Sequence, residues 1–213
     1  MNYKTAFGRW MRVGTMLLLI CASGAPAAAD GLPDGPYPRL QYSQTAVEPV
    51  IEYNLVHHML AEPDPQPLLR IYGDGRVHVH YPVYMKRAGD YELQLSQPEL
   101  RALIRALAGD GIIDFDRATA REKRRQLQAQ QRAATGTLFE ISDSSETVIE
   151  IRLDEYQQAP GTAAVRNLEK RFAWSDLPQD ARRFPGWAEI VKANNAAQRL
   201  ESLLNREDVV QTP

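Results

Sequence analysis

Residues 68–81 read Leu-Leu-Arg-Ile-Tyr-Gly-Asp-Gly-Arg-Val-His-Val-His-Tyr. Two apolar-rich runs flank Gly73-Asp74-Gly75, and this combination predicts a β-hairpin. Glycine supplies the positive φ of a tight turn, and Asp tolerates it. In the second strand Val77, Val79, Tyr81 and Val83 alternate against Arg76, His78 and His80. A period of two gives the sheet one dry face and one wet face.

Working outward, Val50 to Val56 alternates loosely and reads as a strand. Three prolines between Glu62 and Pro67 make that stretch a loop, since proline removes donors and blocks helix and central strand alike. Tyr91-Glu92-Leu93-Gln94-Leu95 alternates again and runs into a helix start. Ser96 is the N-cap, Glu99 completes a capping box, Pro98 lies in the first turn, and Leu95 and Leu100 can staple. Leu100, Leu103, Ile104 and Leu107 mark one helical face, and Gly109 is the expected stop, so the spacing predicts a helix over 97–108 packed on the dry face.

Residues 116–135 favour helix by propensity, but Leu127 is their only large apolar residue, so a basic, solvent-exposed helix is expected. Asp116 suits its N-cap. A second hairpin is expected from 137–141 and 147–153 across Asp143-Ser144-Ser145-Glu146. Two helices then close the chain, the first carrying Val165, Leu168 and Phe172, the second running from Trp187 to Leu204. Phe172, Trp174, Phe184 and Trp187 read as packing between them, with a partner-binding patch as the functional alternative. Strands in adjacent runs imply an α+β two-layer domain, mainly antiparallel sheet with helices on one face, in the order ββββ-α-α-ββ-αα. It spans 47–205, behind a Pro/Gly-rich linker (30–46) and ahead of a flexible polar tail (206–213).

The amino terminus sets the compartment. Lys4, Arg9 and Arg12 precede an apolar run from Val13 to Ala22, and small residues end in Ala27-Ala28-Ala29. This is the pattern of a cleavable signal peptide over 1–29, cut after Ala29 or, as second choice, after Ala27. The run is too short for the roughly 20 residues of a membrane-spanning helix. The mature chain is therefore expected in the periplasm or secreted, with a lipoprotein anchored through Cys21 as the alternative. Cys21 is the only cysteine, so cleavage leaves no thiol or disulfide. Losing the leader removes three of 25 Lys and Arg and none of 27 Asp and Glu, for a net charge of −5. A mildly acidic chain has no general attraction for nucleic acid or anionic lipid.

Candidate chemistry is thin. Gly-x-Ser-x-Gly, His-Glu-x-x-His and glycine-rich phosphate loops do not occur, so no catalytic residue and no resident cofactor is named. All four histidines fall in two clusters, His57-His58 and His78-Val79-His80. Two His at i and i+2 share a strand face, and imidazole suits copper or zinc. If strand 50–56 neighbours the His78 strand, His57 or His58 can add a third ligand, with Met59 and Met85 close in sequence. Asp110, Asp114, Asp116 and Glu122 resemble a calcium loop only in part, because Arg125 stands where the twelfth-position Glu belongs. Arg121, Lys123, Arg124 and Arg125 read as a solvated helix face or a surface for an acidic partner or phospholipid headgroups. The leading expectation is a non-catalytic binding or interaction module with a protein partner in the periplasm. A transition-metal protein using His78, His80, His57 and His58 comes second. A hydrolase whose triad assembles only in three dimensions comes third.

Overall fold

A computed structural model of the protein describes residues 37–45, 47–58, 64–136 and 145–212. Among these the elements run β1 (Arg39–Gln41), β2 (Pro49–His57), β3 (Leu69–Tyr72), β4 (Arg76–Tyr81), β5 (Gly89–Gln94), α1 (Gln97–Gly109), α2 (Arg117–Thr135), β6 (Ser145–Gln157), β7 (Val165–Ser175), α3 (Leu177–Arg183), α4 (Ala188–Leu204) and β8 (Val210–Gln211). The expected leader, Cys21, Met59, the start of the proline loop and the expected strand 137–141 lie outside the described residues. The strands form one antiparallel sheet in the order β1-β6-β2-β3-β4-β5-β8. β7 also pairs with β6, along nearly its whole length. Helices pack on this sheet, so the α+β class read from the order of elements holds.

The 68–81 hairpin forms where turn chemistry placed it. Gly75 adopts φ 93° and its amide donates to the Tyr72 carbonyl at 3.0 Å. The Arg76 amide donates to Asp74 Oδ1 at 3.0 Å, closing the turn. Ser96 and Glu99 make the full capping box at the start of α1. Gly109 is the last helical residue, and the left-handed turn falls to Gly111, at φ 80°.

The dry face is the core. Ile51, Tyr53, Leu69, Ile71, Val77, Val79, Ile149 and Ile151 are buried against Leu100, Ile104, Leu107, Ile190 and Leu200 of α1 and α4. Two buried tyrosines stitch sheet to helix: Tyr53 Oη donates to Glu201 Oε1 at 2.7 Å, and Tyr81 Oη donates to the Leu204 carbonyl.

Several expectations need correction. Residues 165–172 are not a helix but the first part of β7, and the second hairpin pairs β6 with β7. Val165, Leu168 and Phe172 fit a helical stripe, yet Leu168, Phe172 and Trp174 also share one strand face, opposite Leu153, Ile149 and Thr147. Ser145 and Glu146, expected in a turn, begin β6. Within the linker stretch, residues 39–41 pair with Gln157, Tyr156 and Glu155. In the polar tail, Val209 is buried and β8 pairs with β5. Val83 is not on the β4 face but in the turn beyond it. Among the described residues no helix is long and apolar enough to cross a membrane.

Candidate functional site

Two places gather chemistry. The first is a cavity of about 310 Å³ between the α1–α2 connection and the start of α4. Gly111 turns the chain so that Ile112 and Ile113 enter the core, while Asp114 and Phe115 reach the mouth. Asp116 then caps α2, accepting from the Ala118 amide at 2.8 Å and the Thr119 amide at 3.2 Å. Thr119 Oγ donates to the same carboxylate at 2.8 Å. These bonds, the Thr119 hydroxyl first, hold the Asp116 pKa below the usual carboxylate range. Ala120, on the next turn, and Trp187, which precedes α4, complete the apolar wall.

That wall is part of a run of edge-on aromatic pairs. Phe115 meets Phe172 at 4.8 Å and Trp174 at 5.7 Å between centroids, and Trp174 meets Trp187 at 5.7 Å. Offset and edge-on geometry is the favoured arrangement of ring quadrupoles. Trp174 and Trp187 are each 2 % exposed, so the aromatic cluster packs as core and presents no open patch.

The basic run of α2 is not wholly solvated. Lys123 pairs with Glu189 at 3.1 Å and stands 5.8 Å over the Trp187 ring. Arg124 lies 5.6 Å over Trp174 and brings Nε to 2.9 Å from Asp180 Oδ2, with Asp176 at 3.6 Å. The short Nε contact is off the N–H direction, an ion pair more than an aligned hydrogen bond. Trp174 Nε1 donates to Asp180 at 2.9 Å. Asp180 is fully buried, and burial raises its pKa despite the indole bond and Arg124. Asp176, also buried, takes φ 61°, a left-handed conformation uncommon outside glycine.

Other charges at the cavity mouth also have intramolecular partners. Asp110 pairs with Arg199 at 3.1 Å. Asp114 accepts from Tyr156 Oη at 3.1 Å and Gln158 Nε2 at 3.0 Å. Burial first, and Asp114 second, push the Tyr156 pKa up.

The second place is the histidine cluster. His78 and His80 share the β4 face opposite the core, as the alternation predicts, but that face is not wet at His80, which is 8 % exposed. Its Nδ1 lies 2.7 Å from Asp90 Oδ1 on β5, and its Nε2 lies 2.9 Å from Asp64 Oδ2 in the proline loop. Each ring nitrogen thus faces a carboxylate oxygen, an arrangement that favours the doubly protonated imidazolium. Burial pulls the His80 pKa down, the two carboxylates outweigh it, and the net displacement is upward. The bond from His80, then the Gln66 amide, hold Asp64 low. His78 Nε2 stands 3.5 Å from Asp90, and burial lowers its pKa.

His57 and His58 lie elsewhere. β3 intervenes between β2 and β4, which separates the two histidine strands by about 10 Å. His57 rests edge-on against Tyr84 at 6.3 Å, and His58 is exposed. Among the described residues no three His, Cys, Asp or Glu side chains converge to hold a metal ion. A ring that donates through both nitrogens has no lone pair for a metal or a substrate proton.

Sequence reasoning missed Asp64 and Asp90 as partners of His80. It also noticed Asp110 and Asp114 only as parts of a failed calcium loop, and Asp116 as part of that loop and as the N-cap of α2. The spacing was visible, but their partners Arg199, Tyr156 and Gln158 are distant in the chain. No family model, no curated protein and no solved structure matches this chain.

Proposed function

We propose that the protein is an exported, non-catalytic binding module, working in the periplasm or outside the cell, whose ligand site is the Phe115–Trp187 cavity. The leader pattern at 1–29 supports the compartment. The observation that carries the binding role is the cavity itself: about 310 Å³, walled by Phe115, Ala120 and Trp187. That volume is at the lower end of small-molecule sites, which are mostly apolar with a few polar groups at the rim. Asp110, Asp114, Asp116, Lys123 and Glu189 are already bonded within the fold, so affinity comes from burying apolar surface. A compact aromatic molecule is the size and chemistry that fits.

Calorimetry with indole and 2-naphthol tests this, paired with NMR of the Trp187 indole N–H. The expected result is saturable micromolar binding that shifts the Trp187 resonance. Ala120→Leu fills the wall and should weaken binding about tenfold or more, with thermal melting as the check that it still folds. Absence of saturable binding for both compounds overturns the proposal. So does binding that leaves Trp187 unshifted.

A further inference from the structure

The turn after β4 carries a second kind of surface. The Met85 amide donates to the Pro82 carbonyl at 2.8 Å, so Val83 and Tyr84 occupy the two corners of a tight turn. Corners of that kind ordinarily hold Gly, Asn, Asp, Ser or Pro, each for a local reason. Valine has none, being β-branched and suited to strands. Yet Val83 is 89 % exposed and Tyr84 is 47 % exposed. A local choice that contradicts both turn chemistry and burial marks a position set by something other than folding.

Neighbouring contacts anchor this tip, and two cations beside it make it basic. Met85 tucks back against the core, and His57 meets the Tyr84 ring edge-on at 6.3 Å. Lys86 and Arg87 follow directly and are exposed. The Arg87 guanidinium is fixed over the Tyr81 and Tyr91 rings, at 5.5 and 5.2 Å. Asp64, the carboxylate that acts on Tyr84, is already bonded to His80, as is Asp90.

We propose that this turn is a contact site for an anionic phospholipid surface, with Val83 and Tyr84 entering the headgroup layer and Lys86 and Arg87 meeting lipid phosphates. Aromatic rings and aliphatic side chains beside cations are the residues that membrane interfaces favour. A protein partner fits less well. A convex tip of two residues covers far less than the roughly 800 Å² per partner of a stable protein interface. This inference is independent of the cavity.

Cosedimentation with vesicles of phosphatidylglycerol or phosphatidylcholine tests it, comparing the full-length chain with its Val83→Asp, Tyr84→Ser double variant. The basic, apolar leader is common to both chains, so their difference isolates the turn. Wild type should partition into phosphatidylglycerol vesicles about tenfold better than the double variant, and the advantage should shrink in phosphatidylcholine and at high salt. Lys86→Gln should weaken binding about fivefold, and Val83→Trp should strengthen it. Equal partitioning of wild type and double variant overturns the proposal, as does an advantage of equal size on both lipids. A wild-type dimer that the double variant converts to monomer, with vesicle binding unchanged, overturns it in favour of a protein contact.

Discussion

Arg124→Ala is the most direct test of what holds α2 to the body of the protein. Arg124 reaches Asp180 at 2.9 Å and Asp176 at 3.6 Å, and covers the Trp174 ring at 5.6 Å. Removing it leaves two buried carboxylates four residues apart, with the Trp174 indole still donating to Asp180 at 2.9 Å and the Arg183 charge still acting on it. Stranding a buried charge costs about 3–5 kcal/mol. Asp180 recovers part of that by taking up a proton, since burial already holds its pKa high. The expected loss near neutral pH is therefore about 2–4 kcal/mol. The sign of the pH dependence follows from linkage. A carboxyl whose folded pKa is raised binds its proton more tightly in the native state. Stability then falls as pH rises from the unfolded to the folded value. Deleting Arg124 raises the folded value further, so the penalty must shrink as pH falls toward the unfolded carboxylate range near 4. Urea unfolding of both chains between about pH 4.5 and 8 reads this as a change in midpoint at constant slope. A penalty below about 1 kcal/mol, or one that is flat across that range, would refute the argument.

Three shorter predictions follow from the loops and the histidine cluster. The raised His80 pKa means its clasp stabilises fully below the unfolded histidine value and is lost as pH rises through the folded one. The lowered Asp64 pKa adds a limb that is lost only as pH falls through Asp64's own folded value. Asp64→Asn should therefore bring the His80 titration down toward about 6.5, followed by NMR, and an unmoved titration would exclude the clasp. Because each His80 nitrogen is already engaged by a carboxylate, calorimetry with Cu(II) and Zn(II) should find no site tighter than about 10 μM. A tight site abolished by His80→Gln would support the metal reading. Gly73→Ala puts a Cβ into the Ser43 carbonyl, so it should cost about 2 kcal/mol or more in a thermal melt, and a neutral result would mean the 43–44 backbone can move aside.

What the sequence made legible is what nearby residues decide. The Gly73–Gly75 turn, the Ser96–Glu99 box and the Asp116 cap are all settled within four positions, and all three stand in the structure. Residues 165–172 were not legible, because Leu168 and Phe172 satisfy a helical and a strand period at once, while Val165 fits only the helical one. The contest is settled by β6, whose Tyr156, Leu153 and Ile149 pair with those three residues. Alternation likewise put His80 on the correct face, but its burial depends on Asp64, sixteen positions earlier in a loop. The cavity is least legible, since its rim is set by contacts such as Asp110 with Arg199 and Asp114 with Tyr156.

The composition of α2 carries one further consequence. Among its nineteen residues only Ala120 is fully buried, with Leu127 packed at the margin. A helix so poor in apolar residues cannot be held by a hydrophobic stripe of ordinary width. Much of its attachment must come from Arg124 on Asp180, Lys123 on Glu189 and Arg117 on Glu146. Ala120 and Lys123 also line the cavity. The pocket wall is thus fastened largely by charge. Ionic strength screens the exposed pairs, Lys123–Glu189 and Arg117–Glu146, far more than the buried Arg124–Asp180 pair. Rising salt should then loosen the Arg117 end of α2 and the Lys123 contact at the pocket while Arg124 still holds, weakening ligand binding before it lowers the stability of the sheet.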